Sequence, residues 1–217
     1  FTSYSTDAGL INENIITMME DRAGKIWIGT YSGVSIYHHN AFSHFDLEQL
    51  NDNMILSIYE DKSGNIWFGS DPGGVIRYDP TTSSTQQFSV NEGLNNDIVW
   101  SILEDLSGNI WLGTFGGGVA KLIPSDGEGP DYRIENITEN EGLSNNFVLT
   151  ILEDTVGNLW FGTYGGGISI LKNSKQGGSY DWEYINTTNG LSDDGVVSMM
   201  FSAPGGDDNG FLWVGTN

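Results

Sequence analysis

A seven-residue stretch, Gly108-Asn109-Ile110-Trp111-Leu112-Gly113-Thr114, occurs five times with small changes. The other copies are Gly24–Thr30, Gly64–Ser70, Gly157–Thr163 and Gly210–Thr216. Self-similarity at a fixed period restricts the fold more than any single residue. Each copy is one supersecondary unit that cannot bury its apolar face alone and must stack on its neighbours. Four units open on a Gly-Leu pair, at Gly9-Leu10, Gly93-Leu94, Gly142-Leu143 and Gly190-Leu191, and the second has Gln49-Leu50 there. The tryptophan follows after 18 residues in the first four units and after 23 in the fifth, which carries an insertion around Pro204–Asn209.

Within a unit, short apolar runs alternate with turn signals. A first strand is predicted at Ile15–Glu20, Ile55–Glu60, Val99–Glu104, Val148–Glu153 and Val196–Phe201. It is apolar on both faces, as expected of a strand packed between neighbouring sheets. One position in it is always small and hydroxylic: Thr17, Ser57, Ser101, Thr150 and Ser198. That suits a crowded axis, and a hydroxyl-lined channel is the competing reading. A Glu-Asp turn with a glycine for positive φ leads to the tryptophan strand. Equivalent tryptophans are expected to wedge between adjacent units. A glycine cluster then leads to a third strand (Val75–Tyr78, Val119–Ile123, Ile168–Leu171) and an irregular fourth (Ser43–Leu47, Thr85–Val90, Tyr132–Thr138, Tyr180–Asn186). Four short strands per repeat of ~40–50 residues predict an all-β fold, a β-propeller of four-stranded antiparallel blades. A solenoid stack is the alternative. The expected domain is one propeller segment over 1–217, with repeat cores at 9–37, 49–79, 93–123, 142–171 and 190–217.

Charge narrows the partners. With 8 Lys and Arg against 29 Asp and Glu, the formal charge is −21. Nucleic acid needs a basic footprint, so it is excluded as a partner, and anionic surfaces are disfavoured. There is no cysteine, hence no disulfide framework or thiolate chemistry. No apolar run reaches the ~20 residues of a membrane helix, so no direct membrane insertion is expected of this segment.

The pattern Gly-Leu…Ile-x-Glu-Asp-x-x-Gly-Asn-Ile-Trp-x-Gly-Thr-x-Gly-Gly-Gly resembles the two-component regulator propeller repeat, most closely at Gly93–Gly118 and Gly142–Gly167. The resemblance implies a propeller commonly of seven blades. It implies the periplasmic or cell-surface sensor part of a bacterial hybrid two-component system, many of which detect polysaccharide fragments. Related propellers occur in an attachment component of type IX secretion, which keeps a structural propeller binding protein or surface glycan as an alternative. The fifth unit departs from the pattern with Phe201-Ser202 in place of Glu-Asp. The chain ends after Gly215-Thr216 and opens on Phe1–Tyr4, which aligns with a fourth strand. A fragment of a longer propeller is therefore expected, with a five-bladed ring as the alternative.

Antiparallel strands send successive connections to alternate faces. The Glu-Asp turns belong to one face, and the glycine connections and Gly-Leu loops to the other. On that second face the candidate ligand residues are Tyr31, Asp71, Phe115 and Tyr164, before the glycines, with Asn53, Asp97 and Asn146 (and Glu13 and Asp194) from the Gly-Leu loops. Aromatic rings with carboxylates and amides suit a small polar ligand or an oligosaccharide. A protein partner or a second copy of the chain is the other candidate. The competing reading is ordinary turn chemistry, since Asn12, Asp52, Asn96, Asn145 and Asp193 look like a repeated Asx-turn.

No cofactor, metal or catalytic residue is expected. The Glu-Asp turns form an acidic row, but two-carboxylate turns fall short of the ~6–8 oxygens Ca²⁺ takes. Asp207-Asp208-Asn209-Gly210 fails the EF-hand pattern because Gly205 stands where the first acidic ligand belongs. His38, His39 and His44 are the three histidines and show no metal spacing. A sialidase turn is not matched, and Arg22, Arg77 and Arg133 occupy different places in their units. A propeller lyase or hydrolase stays open, because such sites use few residues.

Overall fold

The computed structural model describes residues 2–46, 50, 53–125, 131–173, 180–202 and 211–217. Phe1, Gln49, Asp52 and the insertion around Pro204–Asn209 lie outside the described residues. Eighteen β-strands fall into antiparallel sheets, and the described residues contain no α-helix. Contacts divide the chain into two compact units, Phe1–Ile102 and Leu103–Asn217.

The first unit holds two four-stranded sheets with simple up-and-down order. One is β1 (Ile15–Glu20), β2 (Ile26–Thr30), β3 (Gly33–His38) and β4 (Ala41–Phe45); the other is β5 (Met54–Glu60), β6 (Ile66–Asp71), β7 (Val75–Asp79) and β8 (Ser84–Phe88). The fourth strand of the first sheet starts at Ala41, earlier than predicted. His39 and Asn40 both take positive φ, so a two-residue hairpin joins β3 to β4 directly. Trp27, Val34, Leu50, Ile55, Ile58, Ile66, Phe68 and Ile76 form the core between the two sheets. The Trp27 ring lies 5.6 Å from Phe68 across it.

The chain passes from one unit to the other within β9 (Val99–Glu104), whose sheet continues with β10 (Ile110–Thr114), β11 (Val119–Pro124) and β12 (Tyr132–Ile137). In the second unit follow β13 (Val148–Glu153), β14 (Leu159–Thr163), β15 (Ile168–Leu171) and β16 (Trp182–Ile185), then a two-stranded sheet of β17 (Val196–Phe201) and β18 (Leu212–Thr216). Trp111 packs 5.7 Å from Phe161 in one inter-sheet core, and Ile168, Ile170, Val196 and Met199 form the next. These are propeller blades. Among the described residues, four have the full complement of strands and the fifth repeat shows two.

The recurrent residues have identifiable jobs. In β1, β5, β13 and β17 the hydroxylic residue pairs with the glycine of Gly-Thr/Ser on the next strand: Thr17 with Gly29, Ser57 with Gly69, Thr150 with Gly162, Ser198 with Gly215. A Cβ on Gly29 would lie 2.6 Å from the Thr17 methyl, so the pair is a small-on-small packing feature. The first strands are less uniformly buried than their apolar sequence predicts. Met18 is 64% exposed, whereas its counterparts Ile58 and Ile151 are buried. At the third position of the glycine connection, Gly74, Gly118 and Gly167 have φ near +75°, and a Cβ there would overlap the carbonyl oxygen of Phe88, Ile137 or Ile185. The Thr or Ser two residues before the connection turns its buried hydroxyl onto the far end of that loop, as in Thr114 Oγ1 to Gly118 O at 2.8 Å.

The Asp of the Glu-Asp turn does more than close the turn. Its Oδ1 accepts the backbone N–H groups two and four residues on, and its Oδ2 accepts the indole N–H of the tryptophan six residues on. The indole bonds are Trp27 to Asp21, Trp67 to Asp61 and Trp111 to Asp105, each 2.8 Å, and Trp160 to Asp154 at 3.1 Å. A buried indole needs such an acceptor. In the fifth repeat Ser202 stands in the Asp place, and Trp213 is 62% exposed instead of wedged between sheets.

Candidate functional site

On the turn face the preceding Glu acts as a staple between repeats. Glu60 Oε2 accepts the Arg22 backbone N–H at 2.9 Å, and Glu153 Oε2 accepts that of Leu106 at 2.8 Å. Arg22 spends its guanidinium on the carbonyls of Asp61 and Lys62. Clefts of about 490 Å³ in the first unit and 240 Å³ in the second open on this face. Their walls are already engaged: Asp21 and Asp105 hold tryptophans, Glu60 and Glu153 hold turns, and Lys121 Nζ sits 5.1 Å above the Trp111 ring. The four turn aspartates, with Glu60 and Glu153, are thus bonded to N–H donors. Among the described residues no three His, Asp or Glu side chains cluster as metal ligands. His38 and His39 stack on the β3–β4 hairpin, and His44 Nε2 lies 3.1 Å from the Gly9 carbonyl oxygen.

On the other face, the candidates from the Gly-Leu loops form a clasp between successive repeats. In the first unit the Asn53 carbonyl accepts the Gly33 N–H at 3.0 Å. The Asp97 carbonyl accepts the Gly74 N–H at 2.8 Å, and its carboxylate takes the Val90 N–H at 2.7 Å. In the second unit the Asn146 carbonyl accepts N–H groups of both Gly116 and Gly118, while its amide oxygen takes the Glu139 N–H at 2.9 Å. Asp194 repeats this on Gly165, Gly167 and Thr187. The side-chain partner lies seven residues earlier in the chain, also for Glu13 and Thr6. An acceptor in every repeat, seven residues after a loop residue, was a readable signal of this structural role. The Asx-turn also forms: Asn12, Asn96, Asn145 and Asp193 each accept the N–H two residues on.

The residues before the glycines are placed differently. In the first unit Tyr31 is 52% exposed, and Asp71 ends β6 opposite Met54, followed by a cis bond to Pro72. In the second unit Phe115 meets Phe147 edge-on at 4.7 Å, and both rings are 37% exposed. The Phe147 carbonyl accepts the Tyr164 N–H at 2.8 Å, which ties the Tyr164 backbone to that pair. Tyr164 is 51% exposed and borders a cleft of about 330 Å³ shared with Thr187, Asp193, Asp194, Gly195 and Asn217. Among the described residues, the Tyr164 hydroxyl and the Asn217 amide have no hydrogen-bond partner. Thr187, Asp193 and Asn217 line this cleft and are not among the ligand candidates named from the sequence. Asn217 occupies the same repeat position as Phe115 and Tyr164, so register alone would have found it.

Titration follows these contacts. Burial works against the charge of Asp154 but is outweighed by the Trp160 indole, the Asn158 amide and backbone donors, so its carboxyl lies below the ordinary range. The Thr138 hydroxyl and N–H hold Glu141 low in a capping box. Burial, with Glu135 and Glu141 nearby, raises the Tyr180 phenol.

The family model described as two component regulator propeller matches residues 9–32, 49–71, 93–116 and 142–165. Four of the five repeats thus match the two-component regulator propeller repeat. The fifth repeat, with Phe201-Ser202 for Glu-Asp, is not among the matched segments. No curated protein sequence matches the chain. Among solved structures, it is 26% identical, with a TM-score of 0.78, to the extracellular domain of a protein described as a hybrid two component system, BT3049 from B. thetaiotaomicron. That match covers 96% of this chain and 27% of the other. BT4673 from the same organism gives 22% identity and a TM-score of 0.71, over 94% of this chain and 28% of that one. Virginiamycin B lyase from Staphylococcus aureus gives 17% identity and 0.68, over 93% and 62%, and shares the fold. The chain thus spans about a quarter of the length of the BT3049 and BT4673 chains.

Proposed function

We propose that the chain is a non-catalytic, ligand-sensing propeller segment of an extracytoplasmic two-component sensor, periplasmic or on the cell surface. Residues 1–217 act as one propeller segment, and the ligand is a polar small molecule or oligosaccharide held on the glycine-loop face. The observation that carries this reading is the exposed Tyr164 lining a cleft with open polar groups, with the exposed Phe115–Phe147 pair on the preceding repeat. Rings flanked by hydroxyl, amide and carboxylate groups match the alternating apolar and polar faces of a sugar. Asn146 and Asp194 contribute by holding the glycine loops that follow Phe115 and Tyr164, and Asp97 holds the corresponding loop at Gly74 in the first unit. The likeness to the BT3049 extracellular domain supports the sensor setting.

The test is calorimetric titration of the full chain with a panel of neutral, amino and acidic oligosaccharides, with products analysed after long incubation. Saturable binding weakened by Tyr164→Ala and Phe115→Ala, with every sugar recovered unchanged, is expected. Turnover would move the protein to the lyase or hydrolase class. Binding indifferent to both substitutions would remove the loop face from consideration.

A further inference from the structure

We propose that the cleft beside Tyr164 selects a sugar bearing a free, protonated amine, a hexosamine unit, over neutral or carboxylated sugars. This rests on the reading above that the glycine-loop face binds saccharides. The chemistry of the cleft goes further than that reading. Its lining offers one half-exposed ring, the Thr187 hydroxyl, the Asn217 amide and the two carboxylates Asp193 and Asp194, with no basic side chain. The chain around it carries a formal charge of −21. A concave site lined by one sign of charge concentrates ligands of the other sign and repels its own. An aromatic face next to carboxylates is a pairing that receives an ammonium group, because the ring quadrupole and the anion act in the same direction.

The charge at Asp193 is not demanded by the fold. Its Oδ1 accepts the Gly195 N–H at 2.7 Å to close an Asx-turn. At the same place Asn12, Asn96 and Asn145 close the same turn at 2.8 Å with a neutral amide oxygen. An amide therefore suffices for structure, and the carboxylate adds a charge and a second oxygen that has no hydrogen-bond partner among the described residues. Asp194 is held by Thr187, which donates its N–H at 2.7 Å and its hydroxyl at 3.2 Å.

The neighbouring residue keeps the cleft open. Phe115 bridges to Phe147, and Tyr164 bridges to Gly195 at the equivalent place. Phe147 covers Phe115 edge-on, whereas Gly195 has no side chain to set against Tyr164. A Cβ on Gly195 would meet the Asn217 amide at 2.8 Å and Asp193 Oδ1 at 3.1 Å. A neutral sugar seated here would bury the Asp193 charge without a counter-charge, which is costly. A uronate would add a like charge. An ammonium group resolves both.

The experiment titrates the full chain, below neutral pH, with a glucosamine trisaccharide, its fully N-acetylated counterpart and trigalacturonate. The free-amine sugar is expected to bind about ten-fold tighter than the N-acetylated one, with no binding of trigalacturonate. Asp193→Asn, which keeps the turn acceptor and removes the charge, is expected to erase most of that preference by weakening the free-amine sugar and tightening the N-acetylated one. Tyr164→Ala is expected to weaken both amino sugars. If the N-acetylated or acidic sugar binds as well as the free amine, the amine assignment is overturned while the saccharide reading stands. Free-amine binding untouched by both substitutions would also overturn it, since the general acidity of the surface would then explain the binding. If no saccharide of any charge binds, the saccharide reading falls and this proposal with it.

Discussion

Replacing Asp61 by Ala tests the most repeated interaction in the chain. Asp61 is 4% exposed and Trp67 is fully buried. The carboxylate accepts the Ser63 N–H at 2.9 Å and the Asn65 N–H, the Asn65 amide and the Trp67 indole at 2.8 Å each. Ser63 is exposed, so its N–H recovers a water partner in the variant. Asn65 and Trp67 are buried and recover none. Three stranded buried donors at ~1–3 kcal/mol each give a loss of ~3–9 kcal/mol, centred near ~6. That is a large share of the ~5–15 kcal/mol that holds a typical domain folded. With a slope near ~2 kcal/mol/M, the urea midpoint should fall by ~3 M at unchanged slope. Asp61→Asn keeps one oxygen for the backbone donors but turns an NH₂ toward two other donors, so it should recover less than half of the loss. Trp67→Phe removes the indole donor, and in a double-mutant cycle the two sites should couple by ~1–3 kcal/mol. Loss below ~1 kcal/mol for Asp61→Ala, or additivity in the cycle, would refute the view that the carboxylate exists to satisfy the buried indole.

Three further outcomes are expected. Gly167→Ala should cost more than ~2 kcal/mol in urea unfolding, because φ is +73° and the new Cβ would overlap the Ile185 carbonyl; Gly24→Ala, also at positive φ but with open space around it, should cost less. Asn146→Ala should lose ~1–2 kcal/mol through the Glu139 N–H, whereas Asp194→Asn, which keeps an acceptor for Thr187, should lose less than ~1 kcal/mol. The depressed carboxyl of Asp154 stabilises the folded state fully above its unfolded value of ~3.9, and that stabilisation is lost as pH falls through the lower folded value. The urea midpoint gap between the wild type and Asp154→Asn should therefore be widest above that pH and narrow below it; a gap independent of pH would contradict the assignment.

What the sequence determined by itself was the repeat and its consequences. Periodicity placed the innermost strand at Ile15–Glu20, Val99–Glu104 and Val148–Glu153, where the structure has β1, β9 and β13. Local rules sufficed there, because strand alternation, turn glycines and the Gly-Thr/Ser pair act over a few residues. The same rules misjudged the β3–β4 hairpin, since His39 and Asn40 adopt a left-handed turn without the usual glycine. Tertiary structure decided which donors the polar residues meet. Asp97 and Asn146 read as ligand groups from composition, yet their oxygens close contacts with Val90, Gly74, Gly116 and Gly118 across repeats. The Asp of the turn reads as turn chemistry, yet it also holds an indole on the next strand. Exposure was likewise undetermined: Trp67 and Trp213 share one motif position, and one is buried while the other is 62% exposed. The physical reason is the same throughout. A hydrogen-bond acceptor carries no mark of its donor until folding brings a distant donor within about 3 Å of it. An aromatic ring becomes core or binding surface according to which neighbouring sheet covers it.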